Sequence, residues 1–382
     1  MKIGIDARFY GSLGKGLGRY TQKLIENLEK QDDQNEYFVF LCRENFDDYV
    51  PKNKNFHKVL TNYRWYTFSE QLLMPLKLLK YKLDLMHFPH FNVPVFYFGK
   101  FVVTIHDLIL IHYPTIKGTT LNPLFYKIKF LAYRLVISTA IRRAYKIIAV
   151  SEFAKKDIFK NYKINPKKIE MIYEACDDFC LVGGRNVKLI LKNYNLLDSR
   201  GIIRPYLIYI GNVYPHKNPE NLVLGYALAK KDKYPDLRLV FVGQEDYFYR
   251  RLKKFIQDNG IEDVNFVGKL DDHILSIILR AAVLYGRPSF YEGFELPPLE
   301  AMACGVPVIC SDRECAREIL GDAAYYFNGH DPQDIAKSIK TVLMDKNLRQ
   351  NLIEKGYVQV KKYSWKKMAR DILEIYKRSN DK

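Results

Sequence analysis

Along most of this chain short apolar, β-branched runs alternate with longer amphipathic segments. A strand buried on both faces reads as a near-continuous apolar run, and a helix laid over it shows helical periodicity. The rhythm therefore predicts parallel sheets covered by helices on both sides. The first-half strand candidates are Lys2 to Ile5, Tyr37 to Cys42, Leu85 to Phe88, Val102 to Ile105, Lys146 to Val150 and Ile169 to Ile172. A second set follows at Leu207 to Ile210, Leu239 to Val242, Val264 to Val267, Val283 to Tyr285 and Val306 to Cys310. Between the sets, Cys176 to Arg204 breaks the pattern with Gly183-Gly184, Gly201 and scattered charges. The expectation is an α/β chain of two doubly wound, Rossmann-like domains, residues 1–195 and 196–363, followed by an amphipathic helix over 364–382 carrying Trp365, Met368, Ala369, Ile372 and Tyr376. A length of 382 residues suits two such domains.

The formal net charge of +17 draws the protein toward phosphates, whether on nucleic acid, anionic lipid or a phosphorylated small molecule. No recognition helix, zinc framework or aromatic RNA-binding strand is legible, so specific nucleic-acid binding is the weaker reading. The six cysteines form no C-x2-C sets and are expected as reduced thiols, many in the core. No Asp-x-Asp occurs, which favours a metal-independent mechanism, and no cofactor is expected. The chain opens Met1-Lys2-Ile3-Gly4-Ile5-Asp6, directly as a strand, so a cytoplasmic location is expected. Apolar stretches such as Phe130 to Ile141 are interrupted by charge and fall short of the roughly eighteen residues of a membrane span.

The most informative segment is residues 287–309, RPSFYEGFELPPLEAMACGVPVI. Glu292 falls in a loop, Pro297 and Pro298 suit the first turn of a helix, and Gly305 suits its stop. Glu300 is thereby placed in the first helical turn. The backbone N–H groups of Phe294, Glu295 and Leu296 lie at the helix start, where donors lack internal partners and the dipole is positive, which is a phosphate seat. Seven residues separate Glu292 from Glu300, so the two carboxylates do not share a helix face and can address different parts of one extended ligand. A sugar and a ribose flanking a diphosphate would fit.

This segment resembles the signature of glycosyltransferase family four, and other landmarks follow in the right order: GIDAR then GLGRY, TIHDL, VSEFAKKDI, YIGNVYPHKNPENL, and FVG then VNFVGKL. The resemblance spans roughly Lys2 to Tyr376. It implies the GT-B fold, with a cleft between the two domains and a final helix, here Trp365 onward, that returns to the N-terminal domain. It also implies a retaining transferase acting from a UDP-, GDP- or ADP-sugar. Glu300 maps onto the glutamate that holds the ribose hydroxyls, and Glu292 faces the donor sugar. Carboxylates suit both roles, because they only accept and bind vicinal hydroxyls well. Lys217 matches the cation on the donor diphosphate, needed where no metal neutralises the leaving phosphate. Gly211 belongs to the same landmark. Gly16 and Gly18 are expected in the loop after the first strand, where absent side chains let backbone approach the donor or leaving group. His106, just past the strand Val102 to Ile105, becomes a catalytic residue near the donor sugar.

Two departures stand out. The usual EGFG is EGFE here, so Glu295 adds a negative charge beside the diphosphate seat, and where many relatives carry an arginine this chain has Asn212 and His216. Lys217 is then expected to bear more of the diphosphate charge alone. The acceptor implied is a glycan or lipid-linked precursor of cell-envelope polysaccharide, taken at the inner face of the plasma membrane. No acidic residue lies between Asp107 and Glu152, while Lys117, Lys127, Lys129, Arg134, Arg142, Arg143 and Lys146 interleave with Tyr113, Leu121, Leu124, Phe125, Tyr126, Phe130, Leu131 and Tyr133. Such a surface can rest on an anionic membrane, or be a core helix with a solvated basic face. The alternative enzyme is a GT-B sugar-nucleotide epimerase, which binds the same donor without transferring it.

Overall fold

The computed structural model describes residues 1–114, 123–176 and 187–380. Lys117, Leu121, Cys180, Gly183 and Gly184 lie outside the described residues, as do the side chains of Leu124 and Phe125. The chain divides into two compact units, Met1–Ala175 with Ser364–Lys382, and Cys176–Tyr363.

The first unit holds a seven-stranded parallel sheet: β1 (Lys2–Asp6), β2 (Glu36–Leu41), β3 (Phe56–Leu60), β4 (Leu85–Phe88), β5 (Phe101–Ile105), β6 (Lys146–Ala149) and β7 (Ile169–Met171), in the order β3-β2-β1-β4-β5-β6-β7. β4 and β5 are buried at every position, as strands covered on both faces must be. The second unit holds β8 (Tyr206–Ile210), β9 (Arg238–Val242), β10 (Val264–Gly268), β11 (Leu284–Arg287), β12 (Val308–Ser311) and β13 (Ala324–Phe327), in the order β10-β9-β8-β11-β12-β13, again all parallel. Two strands were not anticipated, β3 and β13, and both are sheet edges. An edge is covered less completely, and in β3 His57 and Lys58 break the apolar run, so that only Phe56 and Val59 are buried.

Each sheet reverses its winding once, between β1 and β4 in the first unit and between β8 and β11 in the second. In open α/β sheets the crevice beyond the carboxyl ends of the strands at that reversal is where ligands collect.

One expectation about the first turn is corrected. The first helix spans Lys15–Gln31 rather than starting at Tyr20, so Gly16 and Gly18 lie in its opening turns and not in a loop. A Cβ on Gly18 would sit 2.0 Å from the carbonyl oxygen of Gly11 and 2.4 Å from that of Phe9. Glycine there lets the helix pack on the β1 loop. Gly16, by contrast, faces open space.

The closing helix, Trp365–Arg378, is capped by Ser364, whose hydroxyl accepts from the Lys367 N–H. It packs on Lys15–Gln31 through a buried stripe of Trp365, Met368, Ala369, Ile372 and Tyr376. No helix among the described residues is long and apolar enough to cross a membrane. Cys42, Cys176, Cys310 and Cys315 are buried free thiols, whereas Cys304 is disulfide-bonded, against the expectation of reduced thiols throughout.

Candidate active site

In the second unit the loops after β8 and β11 converge at the winding reversal. The loop after β8 leaves through Gly211, whose φ of 133° a side chain would oppose. It then makes a short 3-10 turn over Pro215–Lys217 and passes Asn218 in the left-handed conformation before the helix Pro219–Asp232. Asparagine tolerates that conformation, and its buried amide uses it: Nδ2 donates to the carbonyls of Pro288 (3.1 Å) and Gly329 (2.6 Å). The Phe290 N–H donates to the His216 carbonyl at 2.8 Å. The two loops are thus laced together, and Lys217 is held over Glu292.

Lys217 Nζ donates to one oxygen of Glu292. The other oxygen accepts from Nη2 of Arg287, at the end of β11, at 2.5 Å, and Arg287 Nε donates to Glu295 at 3.1 Å. All of these side chains are nearly closed to solvent. Burial pushes the Glu292 carboxyl upward, but the charges of Arg287 and Lys217 outweigh it and hold the group at about 2. Glu295 shares only the one guanidinium and faces Glu292; burial dominates, offset in part by Arg287, and its carboxyl is pushed up to about 7. Burial, then the Lys217 charge, pushes His216 down to about 3, so its ring is neutral.

The helix that follows spans Leu296–Ala303, with Cys304 capping it and Gly305 at a φ of 72° beyond. Glu300 is its fifth residue and stands in the second turn, one later than expected, because the helix begins at Leu296. Glu300 is buried at 4% exposure. Pro297 and Pro298 carry no N–H, so the seat is left to Leu296 and to the Phe294-Glu295 backbone ahead of it. Phe294 is buried edge-on against the Tyr363 ring, 5.6 Å between centroids.

In the first unit, His106 lies just past β5, with Nδ1 2.6 Å from Glu174 and Nε2 2.9 Å from the Pro89 carbonyl. The carbonyl only accepts, so Nε2 carries a proton toward it. Burial opposes a charge on the ring, but the hydrogen bond and charge of Glu174 raise the His106 pKa above its ordinary value.

The described residues contain no group of three or more His, Cys, Asp or Glu side chains that could hold a metal. A cavity of about 640 Å³ lies beside edge strand β10, lined by Asn193, Tyr194, Arg238 and Phe266 among others, away from the motif residues and without a carboxylate in its lining. Arg287, Asn218 and Glu174 were not singled out from sequence. A charge closing the apolar run before Pro288 was a signal for the first, and Asn before Pro219 for the second.

Two family descriptions divide the chain between them. Glycosyltransferase Family 4 matches residues 14–178, and Glycosyl transferases group 1 matches residues 203–359. The chain belongs to glycosyltransferase family four. It is a glycosyltransferase of the GT-B fold, similar over 95% of its length to O-antigen chain mannosyltransferase B of Escherichia coli (27% identical, 96% of that protein covered). It is also similar to O-antigen chain mannosyltransferase RfbU of Salmonella typhimurium (24% identical, 87% of this chain and 88% of that protein). Among solved structures, sucrose-phosphate synthase of Thermosynechococcus elongatus superposes with a TM-score of 0.74 at 19% identity, covering 99% of this chain and 98% of that one. HepE of Anabaena, solved with UDP and glucose, gives 0.73 at 17% identity, covering 99% and 100%.

Proposed function

We propose that this family-four enzyme transfers a hexose, with retention at the anomeric carbon and without a divalent metal, from a nucleotide-diphosphate sugar to a glycan or lipid-linked acceptor of cell-envelope polysaccharide. The observation that carries the reading is the convergence of Lys217, Arg287 and Glu292 where the second sheet reverses its winding, beside the start of the Leu296–Ala303 helix. A buried cation, a partly buried one and a helix start suit a diphosphate that leaves with extra negative charge. In this reading Glu300 takes the ribose hydroxyls and Glu292 the donor sugar. Gly211 and the Phe294-Glu295-Leu296 backbone line the diphosphate, and Gly16 and Gly18 serve the first unit's part of donor binding. His106 is the catalytic residue of the first unit, fixed by Glu174. The two O-antigen mannosyltransferases among the relatives support a mannosyl donor, and the neighbour solved with UDP and glucose supports a nucleotide-sugar. Saturation-transfer NMR against UDP-, GDP- and ADP-sugars tests it: one of them should give transfer signals from base and sugar, and silence across the panel would contradict the reading.

The acceptor side of the proposal is a lipid surface. On the helix Phe68–Leu79 of the first unit, Phe68 is 89% exposed and Leu72, Leu73, Leu76 and Leu79 are also exposed. The neighbouring loop presents Phe96 and Phe98, and the helix Pro123–Arg143 presents Ile128, Leu131 and Leu135 between exposed Lys127, Lys129 and Arg134. These elements are contiguous: Gln71 accepts from the Val95 N–H, Arg143 donates to the Val95 carbonyl and stacks on Phe98, and Phe91 meets Tyr133 edge-on. An exposed apolar face among cations, with no acid from Gln71 to Leu83 or from Leu108 to Ser151, suits the headgroup layer of an anionic membrane. The enzyme is thereby expected to work as a cytoplasmic, peripheral protein.

A further inference from the structure

Two departures from the family pattern, Asn212 and His216 where many relatives carry an arginine near Lys217, and Glu295 in place of a glycine, lie around one side chain. Arg287 comes from β11 rather than from the β8 loop, yet its Nη1 lies 3.7 Å from where a Cβ on Gly211 would be, beside Asn212. A second cation therefore lies against the β8 loop. It comes with a counter-charge, because Arg287 Nε donates to Glu295 and Nη2 to Glu292.

The charges then decide what a diphosphate meets. With both carboxylates ionised, Glu292 and Glu295 cancel Lys217 and Arg287, and the buried seat is neutral. With Glu295 protonated, the seat carries one net positive charge. A dianion brought into this enclosed site raises the cost of a second ionised carboxylate, as like charges in one buried cluster do. Resting on the donor-site reading above, we infer that Glu295 is coupled to donor binding: seating a nucleotide-sugar diphosphate on Lys217 and Arg287 drives a proton from solvent onto the Glu295 carboxylate.

The surroundings of Glu295 favour that step. Among the described residues, the charges that act on it are Arg287, Glu292 and Lys217, and the acids Glu300 and Glu318 lie about the same Tyr285 and Cys315. Further titratable neighbours among the described residues are Tyr209 of β8, Tyr285 of β11, Cys310 of β12, Tyr326 of β13 and Cys315, each pushed upward by burial and so neutral near pH 7. Glu292 cannot take the proton as readily, since two cations hold it low. Glu295, pushed up to about 7, is poised where a modest change of charge alters its occupancy. A relative with glycine at this position has no such group, so the coupling belongs to the EGFE sequence.

Calorimetry of the full chain with UDP-glucose and GDP-mannose, whose diphosphate diesters have no proton of their own to exchange near neutrality, tests the inference. Titrations at pH 7.5 in buffers of different ionisation enthalpy should show net proton uptake on binding. The affinity should fall as pH rises from 7 to 9, approaching about tenfold per unit at the steepest. Glu295→Gln, or Glu295→Gly should the first not fold, should bind the same nucleotide-sugar with no uptake and a flat profile. Binding by the parent without uptake, or equal uptake by a folded Glu295 variant, would overturn the inference and leave the donor site standing. A parent that binds neither nucleotide-sugar, with Lys217→Ala making no difference, would instead overturn the donor site itself.

Discussion

Nδ1 of His87, in the middle of the first sheet, lies 2.5 Å from the hydroxyl of Tyr376 in the closing helix, 289 residues further along the chain. The other ring nitrogen lies 2.9 Å from the Thr104 hydroxyl, which meets the Tyr20 hydroxyl at 3.0 Å. Burial pushes His87 down to about 3, so the ring is neutral and the network carries no charge. It joins β4, β5, the first helix and the closing helix through buried polar atoms, each of which needs a partner.

Tyr376→Phe keeps the apolar contacts and strands the His87 nitrogen. It should destabilise the first unit by about 1–3 kcal/mol in urea unfolding, without altering nucleotide affinity. A variant as stable as the parent would mean that the helix docks on apolar area alone.

Asn218→Ala should act on the donor site without touching a ligand. It removes two hydrogen bonds from a buried amide and leaves alanine in a left-handed conformation, for a loss of about 2–4 kcal/mol. Because the loop it fixes carries Lys217, nucleotide affinity should fall in the folded variant as well; unchanged affinity would show that Lys217 is positioned by other means.

Lys217→Ala should weaken nucleoside diphosphate binding about ten- to a hundredfold, the loss of roughly 1.5–3 kcal/mol for a charged hydrogen bond. Glu300→Gln should mainly impair ribose contacts, and so affect a nucleoside as much as its diphosphate. If both variants bound nucleotide as tightly as the parent by calorimetry, the seat would lie elsewhere.

The contact of His106 with Glu174 has a signed pH dependence. A histidine whose folded pKa is raised adds stability that is full below its unfolded value and is lost as pH rises through the folded one. Glu174→Gln should lower the His106 pKa measured by NMR of its ring protons, and should remove this part of the parent's loss of stability toward alkaline pH. An unmoved His106 titration would contradict the pairing.

Flotation on liposomes separates a membrane face from a solvated one. Binding should require anionic lipid and weaken with salt, since each well-placed cation contributes up to about 1 kcal/mol. It should fall when Lys127, Lys129 and Arg134 become Gln, and also when Leu72 and Leu76 become Ser. Equal flotation with neutral lipid, or none at all, would refute the lipid surface while leaving the transferase unaffected.

The central strands were legible because burial on both faces writes a continuous apolar run, as in β4, β5 and β8. β3 escaped because His57 and Lys58 break its run, which an edge strand tolerates. The glycines at 16 and 18 read as a loop on local propensity, whereas packing on the β1 loop overrides that cost and carries the helix back to Lys15. At the site, the Glu292 and Glu300 positions follow from local signals. The partners do not: Lys217 meets Glu292 across 75 residues and His106 meets Glu174 across 68, distances at which only the folded sheet brings groups together. Glu295 was visible as a departure, but the side chain that pairs with it and lies against the Gly211 turn, Arg287, became meaningful only in three dimensions.

The central claim is retaining, metal-independent sugar transfer from a nucleotide-sugar, and the anomeric configuration of the fresh product tests it most directly. With the nucleotide-sugar that the enzyme binds, a glycan or lipid-linked acceptor and excess EDTA, NMR should show a new glycosidic bond with the anomeric configuration of the donor. An inverted linkage, activity abolished by EDTA and restored by Mg2+ or Mn2+, or a donor isomerised with no sugar transferred would contradict it.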